Sequence, residues 1–274
     1  PQLVHRAARI ARKVASKIYE LERTGARSLV SAPYPSSTPR APFAPSGLGA
    51  ADTLRLDLSG GIALVNGGSG ELGRVIARNL GRCGAHVAVH YLRGQERAES
   101  LVQELEAHHG VLIVSVQSDV ADPEAFQRMR DQIGERLGAV DVLVVNAVSQ
   151  YAWTTVLSQP IEDYDDQYRS CVRHVVLMSK AFVPAMAKAG FGRVIGINTE
   201  CSLQADRNMS AYVAGKRGMD GVLRVLAREV GEHGVTVNQV APGWMISDKH
   251  RLTQQEIQPE YERHVPLRRR GTDQ

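Results

Sequence analysis

Six short apolar runs alternating with amphipathic stretches constrain this chain more than any other feature of it. The runs are IALVN at 62–66, HVAVH at 86–90, VLIVSV at 111–116, DVLVVN at 141–146, RVIGIN at 193–198 and VTVNQV at 235–240. Between them, helical segments are expected to begin near Glu71, Gln95, Pro123, Ile161 and Ser210. Strand and helix in strict alternation imply parallel strands joined by crossover helices, since parallel neighbours cannot be linked by a tight turn. Runs that are apolar throughout, in place of every second residue, imply that both faces of the sheet are covered. The expected fold is therefore a doubly wound α/β sheet over residues 56–274. With 274 residues, 43% of them hydrophobic, the chain can bury one large core or two modest ones.

Ahead of that body, residues 3–21 place Leu3, Val4, Ala7, Ile10, Ala11, Val14, Ile18 and Leu21 close to a helical period. Arg6, Arg9, Arg12, Lys13 and Lys17 fall between them, so residues 1–30 read as a basic amphipathic helical extension. Such a helix can dock on its own body or on a sister subunit. It can also serve as a targeting or partner-binding arm, because Arg-rich, Ser-containing leaders resemble organelle transit peptides; the start at Pro1 and the acids Glu20 and Glu22 weigh against that. The stretch SAPYPSSTPRAPFAPSGLGA at 31–50 holds five prolines among small residues and can neither continue a helix nor enter a sheet interior. Residues 31–55 are assigned to a linker.

Charge narrows the partners. The formal net charge is +4, yet residues 1–50 carry eight Lys or Arg against two Glu, an excess of six, which leaves the remainder at minus two. A body without net positive charge has no electrostatic footprint for nucleic acid. No run approaches the roughly 18 apolar residues of a membrane span, and the first residues lack the apolar core of a secretory signal. Cys83, Cys171 and Cys201 are odd in number and lack paired ligand spacing, so neither a disulfide framework nor a metal site is expected. A reducing, cytoplasmic setting fits best, with organelle import left open.

NGGSGELG, residues 66–73, follows the first run and opens a helix, where backbone N–H groups and the helix dipole can hold a pyrophosphate. With its position in the alternation, this turn resembles that of the short-chain dehydrogenase/reductase family, classical type, and of its β-ketoacyl reductase members in particular. The resemblance covers about residues 56–274 and implies a Rossmann-like sheet. The family's TGxxxGxG falls on Asn66, Gly67, Glu71 and Gly73: the first and last glycines match, while Asn66 and Glu71 do not. Glu71 stands where the middle glycine belongs, and a carboxylate there repels a pyrophosphate unless it points away; Gly70 before it can supply flexibility.

The resemblance assigns the dinucleotide to Gly67, Ser69, Leu72 and Gly73 at this turn, and to Asp119 and Val120 around the adenine. It adds Asn146 and Ala147 after the fourth run, where NNAG is half matched by Val145, Asn146, Ala147 and Val148. Pro242, Gly243 and Ser247 would lie on the nicotinamide side. After the second run the chain reads HYLRGQER, residues 90–97, with no acid placed to take the ribose hydroxyls. Arg93, with His90 beside it, suits a 2′-phosphate, which favours NADP(H) over NAD(H).

In YVAGK, Tyr212 and Lys216 stand four apart on one helix face, thirteen residues or more beyond the hydroxyl of Thr199 at the end of the fifth run. Catalytic roles for these three come from the resemblance. Tyr212 protonates the carbonyl oxygen as hydride arrives; Lys216, with the oxidised nicotinamide, lowers a phenol pKa ordinarily near 10 and holds the ribose. Thr199 takes the place of the family's Ser. The family's water-anchoring Asn falls on Cys171, a poor donor and acceptor, so the proton relay is altered.

Substrate contacts are expected from residues 150–153, 200–209 and 244–263, with Trp153 and Trp244 as an apolar wall or as core packing. Glu200, Gln204, Asp206 and Arg207 are polar, so a β-keto acyl chain and a polycyclic ketone both fit. The stretch VPLRRRGTDQ at 265–274 resembles the family's lead into a further helix and a last strand, some forty residues that are absent here. Either the chain is a fragment or another chain completes the sheet. The expectation is an NADPH-dependent ketoreductase taking a small-molecule carbonyl and working as a homo-oligomer, with a possible partner or adjoining domain at the N-terminal helix. Two alternatives remain: an enzyme of cyclase, epimerase or dehydratase type on the same fold, motivated by Cys171, and a non-catalytic nucleotide-binding scaffold, motivated by Glu71, Val148 and Cys171.

Overall fold

The computed structural model describes residues 56–120, 122–247 and 259–272. The expected N-terminal helix and the proline-rich linker lie outside the described residues. Six parallel strands form one sheet in the order β3-β2-β1-β4-β5-β6. They are β1 (Ile62–Val65), β2 (His86–Tyr91), β3 (Ile113–Gln117), β4 (Val142–Val145), β5 (Gly192–Ile197) and β6 (Val235–Val240).

The principal helices are α1 (Glu71–Arg82), α2 (Gln95–His109), α3 (Pro123–Arg136), α4 (Ile161–Gln167), α5 (His174–Ala189), the short α6 (Cys201–Gln204), α7 (Ser210–Val230) and α8 (Pro259–His264). A turn of π-helix, Tyr168–Arg173, joins α4 to α5. Helix starts are thus where the sequence puts them, and α3 shows why: Asp122 accepts a hydrogen bond from the Glu124 N–H, and Pro123 fills the first turn without needing a partner.

Each face of the sheet has its own core. On one, Phe126, Met129 and Ile133 of α3 and Met178, Phe182 and Met186 of α5 pack on Leu64, Leu143 and Val194. On the other, Leu101 and Leu105 of α2 pack on Val65, Val87 and Val89. Residues of β1 to β4 are therefore covered on both sides, as apolar runs demand. Two differences have physical causes. Val111 and Leu112 fall before β3, with the Leu112 N–H bonded to the His86 ring and its side chain exposed. In β6 burial alternates, Val235 buried and Val240 51% exposed, because it is the last strand of the described sheet and has a neighbour only on the β5 side.

Strand order reverses between β1 and β4, so connections leave their carboxyl ends in opposite directions and open a crevice there. The residues singled out by sequence at 66–73, 146–147, 199 and 242–243 all follow the carboxyl ends of these strands. Gly215 on α7 sets how closely that helix approaches the π turn: a Cβ there would lie 2.9 Å from the Gln167 carbonyl oxygen and 3.2 Å from the Cys171 sulfur. That approach seats Tyr212 and Lys216 over the end of β5.

Candidate active site

The turn after β1 is held from below by side chains. Asn66, fully buried, accepts from the Ala147 N–H at 2.9 Å, and its amide nitrogen lies 3.0 Å from His90 Nδ1. Asn146 Nδ2 lies 3.2 Å from the carbonyl oxygens of both Asn66 and Gly67. Asn66 thus ties β1 to β4, which an Asn does by offering an acceptor and a donor on one short stem. Gly73, one turn into α1, packs on the turn so closely that a Cβ would strike the Gly67 carbonyl oxygen.

Glu71, the residue out of pattern, pairs with Arg74 at 3.0 Å along α1, so its charge beside the turn is offset by a guanidinium. The N-cap Gly70 puts no side-chain cap bond on the first turn of α1, the end of a helix at which an anion can bind. Ser69 donates to the Arg93 carbonyl at 3.2 Å, which brings the end of β2 against the turn.

His90 departs from expectation. It was placed beside Arg93 for a 2′-phosphate, but its ring is 1% exposed and turned inward. Its Nδ1 accepts from the Gly67 N–H at 3.1 Å, so Nε2 carries the hydrogen and donates to the Ser118 carbonyl at 3.0 Å. Burial pushes its pKa down to about 4, so the ring is neutral. A neutral, enclosed imidazole cannot touch a phosphate. Arg93 remains exposed, and Arg97, which the sequence reading passed over, folds back so that its guanidinium lies 2.8 Å from where a Cβ of Gly94 would be. The signal for it was the four-residue spacing in RGQER.

At the end of β5, Thr199 is 6% exposed and its hydroxyl accepts from the Cys201 N–H at 3.2 Å. The Tyr212 N–H donates to the Tyr151 hydroxyl at 2.8 Å, and the Tyr164 hydroxyl sits 2.6 Å from that of Ser210, fixing the start of α7. Burial pushes the Tyr212 phenol up to about 12, the Thr199 hydroxyl opposing that rise by hydrogen bonding to it.

One turn on, the Lys216 ammonium is 3% exposed, donates to the Ile197 carbonyl at 2.6 Å and lies 5.9 Å from the Tyr212 ring centroid. Burial lowers its pKa. Without nucleotide, burial is the largest influence on the Tyr212 phenol and raises it; the lowering expected from Lys216 acts together with the oxidised nicotinamide. Cys171, 1% exposed, faces the same space with its sulfur 3.8 Å from Gln167 Oε1, and burial raises its pKa, which leaves an inert thiol.

A cavity of about 900 Å³ opens over Thr199 and Tyr212. Trp153, Trp244 and Tyr261 form its aromatic wall, edge to face, with centroids 6.5 Å apart for Trp153–Trp244 and 5.8 Å for Trp244–Tyr261. The Tyr261 hydroxyl donates to Glu200 and accepts from the Trp244 N–H at 2.8 Å, joining α8 to the loops after β5 and β6. Arg207, expected here, is exposed and does not line the cavity, whereas His264, Arg269 and Gly271 do. In the stretch after α8, Thr272 pairs with Ile246 in a parallel bridge, with the Ile246 N–H bonded to the Gly271 carbonyl at 2.9 Å. That return brings the stretch back to the cavity wall. Asp119 and Val120 follow β3, Pro242 accepts from the Glu200 N–H at 3.1 Å, and Ser247 is buried beyond it. Among the described residues there is no group of His, Cys, Asp and Glu that could hold a metal, and no helix long and apolar enough to cross a membrane.

A model of the short chain dehydrogenase family matches residues 61–257. The chain is 32% identical over 211 residues to the 3-oxoacyl-(acyl-carrier-protein) reductase FabG of Staphylococcus aureus, which covers 77% of this chain and 85% of the relative. Among solved structures, a blue fluorescent protein from a metagenomic library in complex with NADPH superposes with a TM-score of 0.72 at 32% identity, over 79% of this chain and 87% of the other. A short chain dehydrogenase from Burkholderia cenocepacia in complex with NADP gives a TM-score of 0.67 at 31% identity, over 79% and 86%.

Proposed function

Because the chain belongs to the short chain dehydrogenase family, of NAD(P)-dependent oxidoreductases acting on CH–OH and C=O groups, we propose that it reduces a ketone to a secondary alcohol with NADPH. The observation that carries this reading is the convergence of Thr199, Tyr212 and Lys216 beneath an aromatic-walled cavity.

NADPH, when bound, supplies the hydride. The residues that would hold it are Gly67, Ser69, Leu72 and Gly73 at the turn, Asp119 and Val120, Asn146 and Ala147, Pro242, Gly243 and Ser247, with Arg93 and Arg97 toward the 2′-phosphate. They fit a dinucleotide in this respect: the turn has no side chain at its closest packing, a helix N-terminus with no side-chain cap from Gly70, and an ion-paired Glu71. Lys216 is within reach of Tyr212 and of the ribose side of the crevice. Thr199 donates to the substrate carbonyl oxygen, orienting it, while the Tyr212 hydroxyl gives that oxygen its proton as the carbon accepts hydride. A phenol held protonated at neutral pH is the form that step requires.

The carbonyl is a β-keto acyl chain or polyketide-like ketone. Support comes from the relative's activity and from the wall of Trp153, Trp244 and Tyr261, which can bury an apolar chain. The lack of an acid at the end of β2 itself, where the chain runs His90-Tyr91-Leu92-Arg93, with Arg97 one helical turn on, supports NADPH over NADH. The working form is a homo-oligomer, to be read from its mass by light scattering.

The test is titration with NADPH and NADH followed by tryptophan fluorescence, then turnover on a panel of 3-oxoacyl thioesters and cyclic ketones with chiral analysis of the alcohol. NADPH should bind more tightly and a 3-oxoacyl thioester should be reduced. Binding of neither nucleotide, or binding with no turnover on any ketone, overturns the proposal.

A further inference from the structure

His90 is a buried polar residue that the proposed chemistry does not use, and its contacts are too complete for a core filler. The ring lies where three strand ends meet on the nucleotide side of the sheet. One nitrogen faces the β1 turn, accepting from Gly67 N–H with Asn66 Nδ2 alongside. The other donates to the Ser118 carbonyl, the residue just before Asp119 and Val120. Its own backbone carbonyl accepts from the Gly68 N–H at 2.8 Å, and the Ser118 N–H donates to the carbonyl of neighbouring Tyr91 at 3.1 Å.

We infer that His90 is a positioning residue for the nucleotide, a strut that sets the distance between the pyrophosphate turn and the adenine loop. The inference rests on the nucleotide reading of the crevice. An imidazole suits the task because it presents an acceptor and a donor at opposite ends of a rigid ring. An apolar residue of the same volume would leave the Gly67 N–H and the Ser118 carbonyl buried without these partners. The ring stays neutral, as its low pKa requires, so one tautomer serves both ends at any ordinary pH.

The two ends can be separated. In His90→Asn the side-chain oxygen occupies the place of Nδ1, keeping the Gly67 contact and losing Ser118. In His90→Gln the amide nitrogen occupies the place of Nε2, keeping Ser118 and losing Gly67. Binding is measured by calorimetry with NADPH and with adenosine 2′-monophosphate, which has no phosphate on its 5′ side to meet the turn. Losing one buried hydrogen bond should weaken the affected contact about tenfold. His90→Asn should therefore weaken both ligands, whereas His90→Gln should weaken NADPH and leave the monophosphate near wild type. In both variants the KM for NADPH should rise while kcat and the KM for the carbonyl stay within about twofold.

Equal losses for both ligands in both variants would make His90 merely structural and overturn the inference, as would wild-type affinities throughout. A wild-type protein that binds neither ligand would overturn the crevice reading itself. If the variants fail to fold, NMR of the unmodified protein decides. Adding adenosine 2′-monophosphate, which does not reach the turn, should shift the His90 ring nitrogens and the Gly67 amide as well as the adenine loop; a Gly67 amide that stays still would refute transmission through the ring.

Discussion

Replacing Lys216 by methionine should make the protein more stable and remove its activity at once. The ammonium is 3% exposed, with one carbonyl at 2.6 Å and a thioether sulfur at 4.0 Å, and among the described residues no carboxylate accepts its bonds. Burying a charge costs several kcal/mol even after the protein relaxes, while one charge-assisted hydrogen bond returns about 1.5–3 kcal/mol. Methionine fills a similar volume without the charge and leaves the Ile197 carbonyl short of a partner, at about 1 kcal/mol. The net expectation is a gain of about 1–3 kcal/mol, which for a domain of this size raises Tm by about 2–10 °C.

The lowered lysine pKa sets the pH dependence. Between its folded value and the ordinary 10.5 the unfolded chain binds more protons, so wild-type stability rises with pH across that window and the gap to Lys216→Met closes. Differential scanning calorimetry without nucleotide at pH 7 and pH 10, beside a turnover assay, checks both halves. A variant less stable than wild type, or one that still turns over at more than a tenth of the wild-type rate, would refute the reasoning.

Gly73→Ala drives a methyl into the Gly67 carbonyl, so the turn must move; a loss of about 1–3 kcal/mol in stability and a large drop in NADPH affinity are expected, and calorimetry showing neither would remove the turn from the binding surface. Arg93→Ala with Arg97→Ala should cost NADPH about 10- to 100-fold in Kd and leave NADH nearly unchanged, read from parallel titrations; equal losses would detach these residues from the 2′-phosphate. Tyr261→Phe breaks the link from α8 to Glu200 and Trp244. It should raise the KM for the carbonyl about 5- to 10-fold with nucleotide affinity intact, and an unaltered KM would mean that wall is not a substrate contact.

Most of the fold was legible because its strands are buried on both faces, which writes continuous apolar runs into the sequence, and because caps such as Asp122-Pro123 mark helix starts. Edge effects were not: β6 alternates in burial, and the return of Gly271 and Thr272 to Ile246 leaves no local pattern, since a single bridge depends on distant backbone. The catalytic spacing of Tyr212 and Lys216 was readable from helix geometry. The direction of the phenol's pKa was not, because it depends on how deeply α7 is pressed onto the π turn through Gly215 and so on how far the phenol is buried. His90 reads from sequence as a 2′-phosphate contact beside Arg93, but which way a ring faces is decided by partners on three strands.

The most direct measurement of the account is Tyr212→Phe, a change of one oxygen at the floor of the cavity, compared with wild type in reduction of the best ketone at saturating NADPH. The account predicts a loss of about 100- to 10,000-fold in kcat, with NADPH binding and Tm close to wild type. Reduction at an undiminished rate would contradict the assignment of that phenol as the proton donor.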